Sequence, residues 1–527
     1  MTIKTLVRPG EYHDSVALMA AARALSDFPG VRDAAVVMAS EANRAILKEA
    51  GLLTPEAEAA TPNDVVIAIK AEGDRTAEAA LAEALLLLAP GRAGAERGPG
   101  GEELARPRSL RSAVQAAPGA NVAVVSVAGR YAADEAWEAL RHGLHVLLFS
   151  DHVSLEDEVA LKRYACDHGL LLMGPGAGTA ILNGVALGFA NVLPRGPVGL
   201  VAAAGTGLQE VSTLLARQGV GLSQGLGVGG RDLSVEVGGL MMLEGLKALQ
   251  ADPLTSVIGL ISKPPAASVA AKILAQAAAS PKPTIVCFLG LNDPAALGAL
   301  PANVALAPTL QAAARLAARA AGAEVDLSAR AEAREARGLQ EQARRLRARL
   351  APGQRHLRGL FSGGTLCYEA QVIWRDELGL PVNSNAPLAP IGGEGGLPTR
   401  RTAHTAIDLG EEEYTVGRPH PMLDNDLRCR RLLQEARIRS VAVILLDVVL
   451  GYGAHLDPAA ELGSTIREAR ALARAAGRNL IVIASVTGTD QDPQVRSAQV
   501  ARLKQAGAVI GESNAQAARL AGLVVKG

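Results

Sequence analysis

Two short stretches of this chain carry the same chemistry. Residues 201–211 read Val-Ala-Ala-Ala-Gly-Thr-Gly-Leu-Gln-Glu-Val, and residues 360–370 read Leu-Phe-Ser-Gly-Gly-Thr-Leu-Cys-Tyr-Glu-Ala. Gly205, Thr206 and Glu210 align with Gly364, Thr365 and Glu369 at one constant offset. Each stretch follows an apolar run and precedes an apolar-periodic segment, which predicts a strand, a small-residue turn and a helix start. The first amides of a helix have no intrahelical acceptor and lie at the positive end of the helix dipole. Such a turn suits a phosphate or a carboxylate. Gly205, Thr206 and Gly207 could cradle one anion, and Ser362, Gly363, Gly364 and Thr365 another. Glycine permits close backbone approach and the hydroxyls add donors. The alternative is a purely structural turn of a kind common in α/β folds. Glu210 and Glu369 fall in the first helical turn, where the dipole alone favours an acid.

Other residues have types and settings suited to a site. Gly225 to Gly230 followed by Arg231-Asp232 reads as a strand end opening into a loop. Arg231 could fork onto an anion, or pair with Asp232 or Glu236. Lys263 ends a buried strand ahead of Pro264-Pro265, where side chains face the usual ligand crevice of a parallel sheet; a solvated lysine is the alternative. Asp447, at the matching place in the second repeat, is flanked by Leu445-Leu446 and Val448-Val449-Leu450. A buried carboxylate needs partners, in a site or in a structural network. His420 stands between Pro419 and Pro421, two residues after Arg418. Proline stiffens the loop, so His420 is a candidate for acid/base or oxyanion work, with Arg418 as a further anion ligand; a histidine in a rigid surface loop is the alternative. Ser126, Gly129 and Tyr131 lie at one βα turn, Gly174 and Pro175 at another, and Thr487, Gly488 and Thr489 at a third. The first two turns are candidate cofactor contacts without a full dinucleotide-binding glycine motif.

The elements that must position these residues are α/β throughout. The length, 527 residues, implies about three or four domains. Hydrophobic residues make up 49% of the chain, ample for buried cores, while aromatics at 2% speak against base-stacking platforms. With 53 basic and 53 acidic residues there is no electrostatic case for nucleic acid or an anionic membrane. Cys166, Cys287, Cys367 and Cys429 form no CxxC pair, so neither a disulfide framework nor a metal site is expected. The opening Met-Thr-Ile-Lys runs straight into a strand-like stretch, and no apolar run approaches the roughly 18 residues of a membrane helix. A cytoplasmic protein is expected.

Residues 1–90 read as a small α/β domain, ferredoxin-like or half of a doubly wound sheet. The Gly/Pro/Arg-rich stretch that follows reads as an exposed loop. Residues 111–195 read as a Rossmann-like unit, with Ser154 and Asp157 close to a capping box. Residues 196–322 and 355–527 read as one flavodoxin-like unit used twice, because three matched segments keep their order. Residues 323–354, rich in Ala, Arg, Glu and Gln, read as an exposed linker helix. An insert at 385–430 holds Gly392-Gly393-Glu394-Gly395-Gly396, Thr405-Ala-Ile-Asp408 and the His420 loop; inserts this long in a compact domain tend to be functional.

Several motifs in this order resemble the FdrA family over nearly the whole chain: Met173-Gly-Pro-Gly-Ala-Gly-Thr, Gly225-Leu-Gly-Val-Gly-Gly-Arg-Asp, Lys263-Pro-Pro-Ala, Gly417-Arg-Pro-His-Pro-Met, Leu446-Asp-Val-Val-Leu-Gly and Val486-Thr-Gly-Thr-Asp. That family is in turn similar to the α subunit of succinyl-CoA synthetase over residues 111–322. The resemblance implies helix N-termini that hold a phosphoryl group. The synthetase's phosphorylated histidine follows the strand matching Thr284 to Leu289, but residues 291–306 contain no histidine. The family link to oxamate carbamoyltransferase implies exchange of a carbamoyl group between oxalurate and phosphate, with phosphate or carbamoyl phosphate as substrate, a small carboxylate as acceptor, and further protein subunits as partners. An acyl-CoA synthetase subunit, using CoA and nucleotide, and a non-catalytic acyl-CoA- or anion-binding subunit are the alternatives.

Overall fold

The computed structural model describes the chain except residues 12, 14, 27, 41–42, 45–46, 49, 89–106, 108, 292–296, 298, 389–402, 416–418 and 527. Most of the Gly/Pro/Arg-rich stretch, the glycine run at 392–396 and Arg418 therefore lie outside the described residues. The chain divides into two compact units, Met1–Ser109 with Glu412–Pro419, and Leu110–Glu411 with His420–Gly527.

The first unit is built as β1 (Thr2–Arg8), α1 (Ser15–Ser26), β2 (Val31–Met38), α2 (Pro55–Ala59), β3 (Val65–Ala71) and α3 (Asp74–Leu88). Thr54 caps α2 ahead of Pro55, which pre-sets the first helical residue. The sheet is antiparallel in the order β1-β3-β2. This is the ferredoxin-like option. β3 is buried on both faces, and its period of two splits its side chains. Val65, Ile67 and Ile69 join a core with Leu18, Leu25 and Ala80, while Val66 and Ala68 join another with Leu47 and Leu52.

The second unit opens with α4 (Leu110–Ala116), β4 (Val122–Val125), α5 (Gly129–Arg141), β5 (His145–Leu148), α6 (Leu155–Asp167) and β6 (Leu172–Met173). The strands form a small parallel sheet, β4-β5-β6. Ser154 caps α6 by accepting the Asp157 amide at 3.0 Å, as its spacing predicts. Then come β7 (Thr179–Leu182), β8 (Val185–Gly188), β9 (Arg195–Ala202), α7 (Gly205–Arg217), β10 (Leu222–Gly227), α8 (Leu240–Ala251), β11 (Val257–Ser262), α9 (Ala267–Ala278), β12 (Thr284–Phe288), β13 (Val304–Leu306) and α10 (Leu310–Ala320). They make a seven-stranded sheet, β13-β12-β11-β9-β10-β7-β8. The hairpin β7-β8, which the sequence groups with 111–195, adds to the edge of this sheet through an antiparallel contact with β10.

α11 (Ala329–Arg347) follows, then β14 (His356–Phe361), α12 (Gly364–Val372) running on into a π-helical turn at Ile373–Glu377, β15 (Val382–Ser384), β16 (His404–Asp408), α13 (Asp426–Ala436), β17 (Val441–Val449), α14 (Pro458–Ala475), β18 (Ile481–Thr487), α15 (Arg496–Gln505), β19 (Val509–Gly511) and α16 (Asn514–Lys526). Their sheet is parallel, β15-β16-β14-β17-β18-β19. Numbered from its own first strand, the run β10-β9-β11-β12-β13 has order 2-1-3-4-5, the flavodoxin order. The run β16-β14-β17-β18-β19 repeats it. β11, β14 and β17 are buried at every residue, as central strands of a parallel sheet covered by helices are.

α11 is not the exposed linker that its composition suggests. Ala331, Leu339, Ala343 and Leu346 are buried. Arg347 donates to the Val524 carbonyl at 2.9 Å, and Glu335 pairs with Arg315 at 3.1 Å. A few small apolar residues at helical spacing suffice to dock a helix when both neighbours, α10 and α16, are alanine-rich.

Candidate functional site

The two repeated turns meet. A Cβ on Gly207 would stand 2.9 Å from Thr365 Cγ2, and one on Gly363 would stand 2.8 Å from Thr206 Cγ2. The contact is reciprocal: in each turn a glycine makes room for the threonine of the other. Neither α7 nor α12 has a side-chain cap at its N-terminus. The first intrahelical bonds come from the amides of Leu208 and Cys367. Among the described residues, the amides of Gly205, Thr206, Gly207, Gly364, Thr365 and Leu366 meet no acceptor. By contrast α6, α10 and α11 are capped by Ser154, Thr309 and Ser328. Two uncapped positive ends of helices thus face one place.

Glu210 and Glu369 are the sixth residues of α7 and α12, beyond the first turn in which the sequence spacing placed them, and they answer other helices. Glu210 accepts the Asn514 amide at 2.9 Å and so caps α16 of the other repeat. Glu369 accepts the Leu310 amide at 2.7 Å and caps α10. Each repeat therefore caps the closing helix of its counterpart, which fixes how the two turns meet. Asn514 also donates to Glu369 at 2.8 Å. Burial pushes the Glu369 carboxyl up to about 7, against the pull of those two donors.

Asp447 is fully buried and is bound by the chain itself. It accepts the Ser362 and Gly363 amides at 2.8 Å each, the Ser362 hydroxyl at 3.1 Å and Arg428 at 3.1 Å. The expectation of a catalytic Asp447 is corrected accordingly: it positions the 362–363 turn. Ser362 and Gly363, expected as anion ligands, spend their amides on this internal carboxylate, leaving Gly364, Thr365 and Leu366 to face outward. Lys263 is exposed and lies over the Tyr368 ring at 5.4 Å, so it reaches the head of α12 from the end of β11.

His420 is not on an exposed loop. Burial, with Arg428 nearby, pushes its imidazole down to about 4, so it is neutral at physiological pH. Its Nδ1 accepts the Met422 amide at 3.2 Å, which places the proton on Nε2. A Cβ on Gly410 would stand 2.8 Å from His420 Nε2, 3.0 Å from the Ser362 carbonyl and 3.1 Å from Asp408 Oδ1. Asp408, at the end of β16 beside Phe361, was not singled out from the sequence. The signal was present as an acid at the exit of a buried strand followed by Leu409-Gly410. Its Oδ1 accepts the Gly410 amide at 2.9 Å, and its Oδ2 stands 2.7 Å from where a Cβ on Gly364 would be. Glycine at 364 and 410 is required by these approaches. Burial pushes the Asp408 carboxyl up to about 7. Phe189 closes one side, 6.1 Å from the His420 ring.

The remaining candidates lie elsewhere. Arg231 pairs with Glu158 at 2.8 Å and donates to the Val153 carbonyl at 2.8 Å. Behind it Lys162 bridges Glu158 and Asp232 at 2.8 Å each, all fully buried, and Asp232 caps α8 through the Met242 amide at 2.9 Å. Gly174 and Pro175 are buried; a Cβ on Gly229 would stand 2.6 Å from the Pro175 carbonyl, so this turn is packed instead of open to a cofactor. Ser126 and Tyr131 are exposed, and Gly129 makes room for the Asp151 carbonyl, 2.2 Å from its would-be Cβ. Thr487 donates to Glu210, and Thr489 donates to the Val192 carbonyl at 2.9 Å, both inside the interface of the repeats.

Residues 360–524 match the CoA-ligase family model, and residues 1–106 match a model described as AllF, heavy metal-associated domain. Residues 1–106 contain no cysteine and one histidine, His13. The chain is 42% identical over 524 residues to the uncharacterized protein YahF of Escherichia coli K12, covering 99% of this chain and 98% of that one. It is 27% identical over 146 residues to the α subunit of the ADP-forming succinate–CoA ligase of Methanothermobacter thermautotrophicus, and 31% identical over 151 residues to that of Staphylococcus epidermidis. These stretches span 27% and 28% of this chain and 48% of each ligase subunit. No helix among the described residues is long and apolar enough to cross a membrane. With 42% identity to YahF over nearly its full length, an AllF-type N-terminal domain and a CoA-ligase domain built on repeated flavodoxin-like sheets, the chain belongs to the FdrA-like family of succinyl-CoA-synthetase-α-like proteins.

Proposed function

We propose that this chain carries the phosphate and group-transfer site of a carbamoyltransferase, which exchanges a carbamoyl group between oxalurate and phosphate to give oxamate and carbamoyl phosphate. The observation that supports this reading is the meeting of two uncapped helix N-termini at Gly205–Gly207 and Gly364–Leu366. Like ends of two dipoles repel, and a bound anion relieves that repulsion. Each dipole contributes about 0.3–1 kcal/mol, and the charge-assisted N–H bonds more. Phosphate seated there gains the Thr206 and Thr365 hydroxyls as neighbours and the Lys263 ammonium at the rim. His420, held neutral with its proton on Nε2, serves as a hydrogen-bond donor and not as a base. In the exchange a phosphate oxygen attacks the carbamoyl carbon. The oxyanion that forms accepts from His420 Nε2. The bond to the oxamate nitrogen then breaks, and that nitrogen takes the proton given up by the phosphate. Further protein subunits are proposed to complete the enzyme.

A second reading, an acid–thiol ligase of the succinate–CoA type, is favoured by the CoA-ligase match at 360–524. In it CoA would lie against Ser126 and Tyr131, and a phosphoenzyme would form. The absence of histidine from 291–306 weighs against it. A phosphate-dependent carbamoyl transfer assay with candidate partner subunits, run with and without CoA and nucleotide, separates the two. Transfer without CoA or nucleotide is expected. Acid-labile label on a histidine after incubation with γ-labelled nucleotide would overturn the carbamoyl reading.

A further inference from the structure

We propose that Asp408 makes the anion site at the head of α12 selective for phosphate over sulfate, by sharing a single proton with the bound oxyanion. This rests on the phosphate reading above and adds a selectivity to it. Asp408 is 2% exposed. Its Oδ1 is held by the Gly410 amide at 2.9 Å, while its Oδ2 has no hydrogen-bond partner among the described residues. That oxygen is aimed at Gly364, 2.7 Å from the would-be Cβ, at the N-terminus of a nine-residue helix whose first amides also lack acceptors. The backbone on which it stands is clamped, with Asn385 accepting the Asp408 amide at 2.9 Å and donating to its carbonyl at 2.8 Å. A buried carboxyl with one oxygen held and the other open beside an anion site has two stable arrangements. Neutral, it donates to a fully ionised oxyanion. Ionised, it accepts from an oxyanion that brings its own proton. Two unprotonated anions face to face are excluded by repulsion and desolvation.

Phosphate keeps one proton well above neutrality and sulfate keeps none, so the two ligands respond differently to pH. Burial places the Asp408 ionisation at about 7, within reach of an ordinary titration. The charged groups around it are Glu411 on its own turn, Lys263 from the end of β11 and Asp447 from β17, with His420 and the Cys367 thiol of α12 close by. His420 is already neutral above about pH 5, and burial holds the Cys367 thiol well above its usual range, so both keep one state from about pH 7 to 9.

The test is isothermal titration of the full-length chain with inorganic phosphate and with sulfate between about pH 7 and 9. Phosphate affinity should stay level. Sulfate affinity should fall about tenfold per pH unit, reaching about a hundredfold discrimination at pH 9, since a site left with an unpaired buried charge rejects the ligand that cannot pair it. Asp408→Asn, whose amide can donate but not ionise, should bind sulfate at a level independent of pH and bring the two anions within about threefold of each other. Parallel pH profiles for the two anions in the native protein would overturn the inference without any variant. An unchanged ratio in a folded Asp408→Asn protein would overturn it too. Failure of the native protein to bind either anion would instead remove the phosphate site itself.

Discussion

Removing the space between the two turns is a direct test of the geometry on which the site depends. Gly207 lies in the first turn of α7 with helical backbone, so alanine there gains up to about 1 kcal/mol of helix propensity. The new Cβ would, however, stand 2.9 Å from Thr365 Cγ2, and 3.2 Å from both Ala204 Cβ and Ile261 Cγ2. Overpacking of this kind costs about 1–3 kcal/mol, so Gly207→Ala should destabilise by about 1–2 kcal/mol. Thr365→Ser deletes the one methyl in closest contact and keeps the hydroxyl; alone it should cost about 1 kcal/mol for a lost buried methyl. Combined, the clash is gone and the two 3.2 Å contacts remain, so the alanine should be close to neutral in the serine background. The expected coupling is about 1–2 kcal/mol, favouring the double variant over the sum of the singles. Urea unfolding followed by Trp374 emission, in a Trp137→Phe background, reports on the repeat that holds Thr365, because Trp374 is fully buried and donates to the Ala518 carbonyl at 2.8 Å. Additivity within about 0.3 kcal/mol, as for independent sites, would show that the two turns do not touch and would remove the shared anion site.

Further expectations concern single side chains. Among the described residues, Gly205→Val finds only Thr179 Oγ1 at 3.8 Å from its Cβ, so it should fold normally yet weaken phosphate binding at least about tenfold by blocking the amides; unchanged affinity by calorimetry would contradict this. His420→Ala should lower carbamoyl transfer about a hundredfold or more, as loss of an oxyanion donor does; full activity in the purified variant would exclude His420 from the chemistry. His420 is a base whose folded value, about 4, lies below its usual one, so its contribution to stability is present above about pH 6.5 and lost as pH falls through about 4; His420→Gln should flatten that part of the acid-unfolding curve. Glu369 has the opposite sign. Its carboxyl rises from an ordinary 4.5 to about 7 on folding, so stability should fall as pH rises through that window, and Glu369→Gln should lose the slope in thermal unfolding scans.

The repeated Gly-Thr turns, the flavodoxin-like duplication and the parallel sheets were legible in the sequence because they rest on local patterns: apolar runs of strand length, small-residue turns and matched segments in order. The capping of α6 by Ser154 was legible for the same reason. Whether residues 1–90 made a ferredoxin-like or a doubly wound sheet depended on strand pairing, which periodicity does not encode; the antiparallel order β1-β3-β2 decided it. The burial of α11 depended on its alanine-rich neighbours. Asp447 read correctly as a buried acid in need of partners, but only the fold could show that its partners are the Ser362 and Gly363 amides, which turns a candidate catalyst into a brace. Arg231 found Glu158 across 73 positions of chain, a pairing no local spacing announces. Asp408 and Gly410 acquire their meaning from His420 and Gly364, which the fold places beside them. The sequence by itself determined which short segments could offer a helix N-terminus to an anion. Tertiary structure alone decided that two such ends meet, and which buried acid was left over beside them, because long-range packing sets both the distance between dipoles and the number of partners each carboxylate finds.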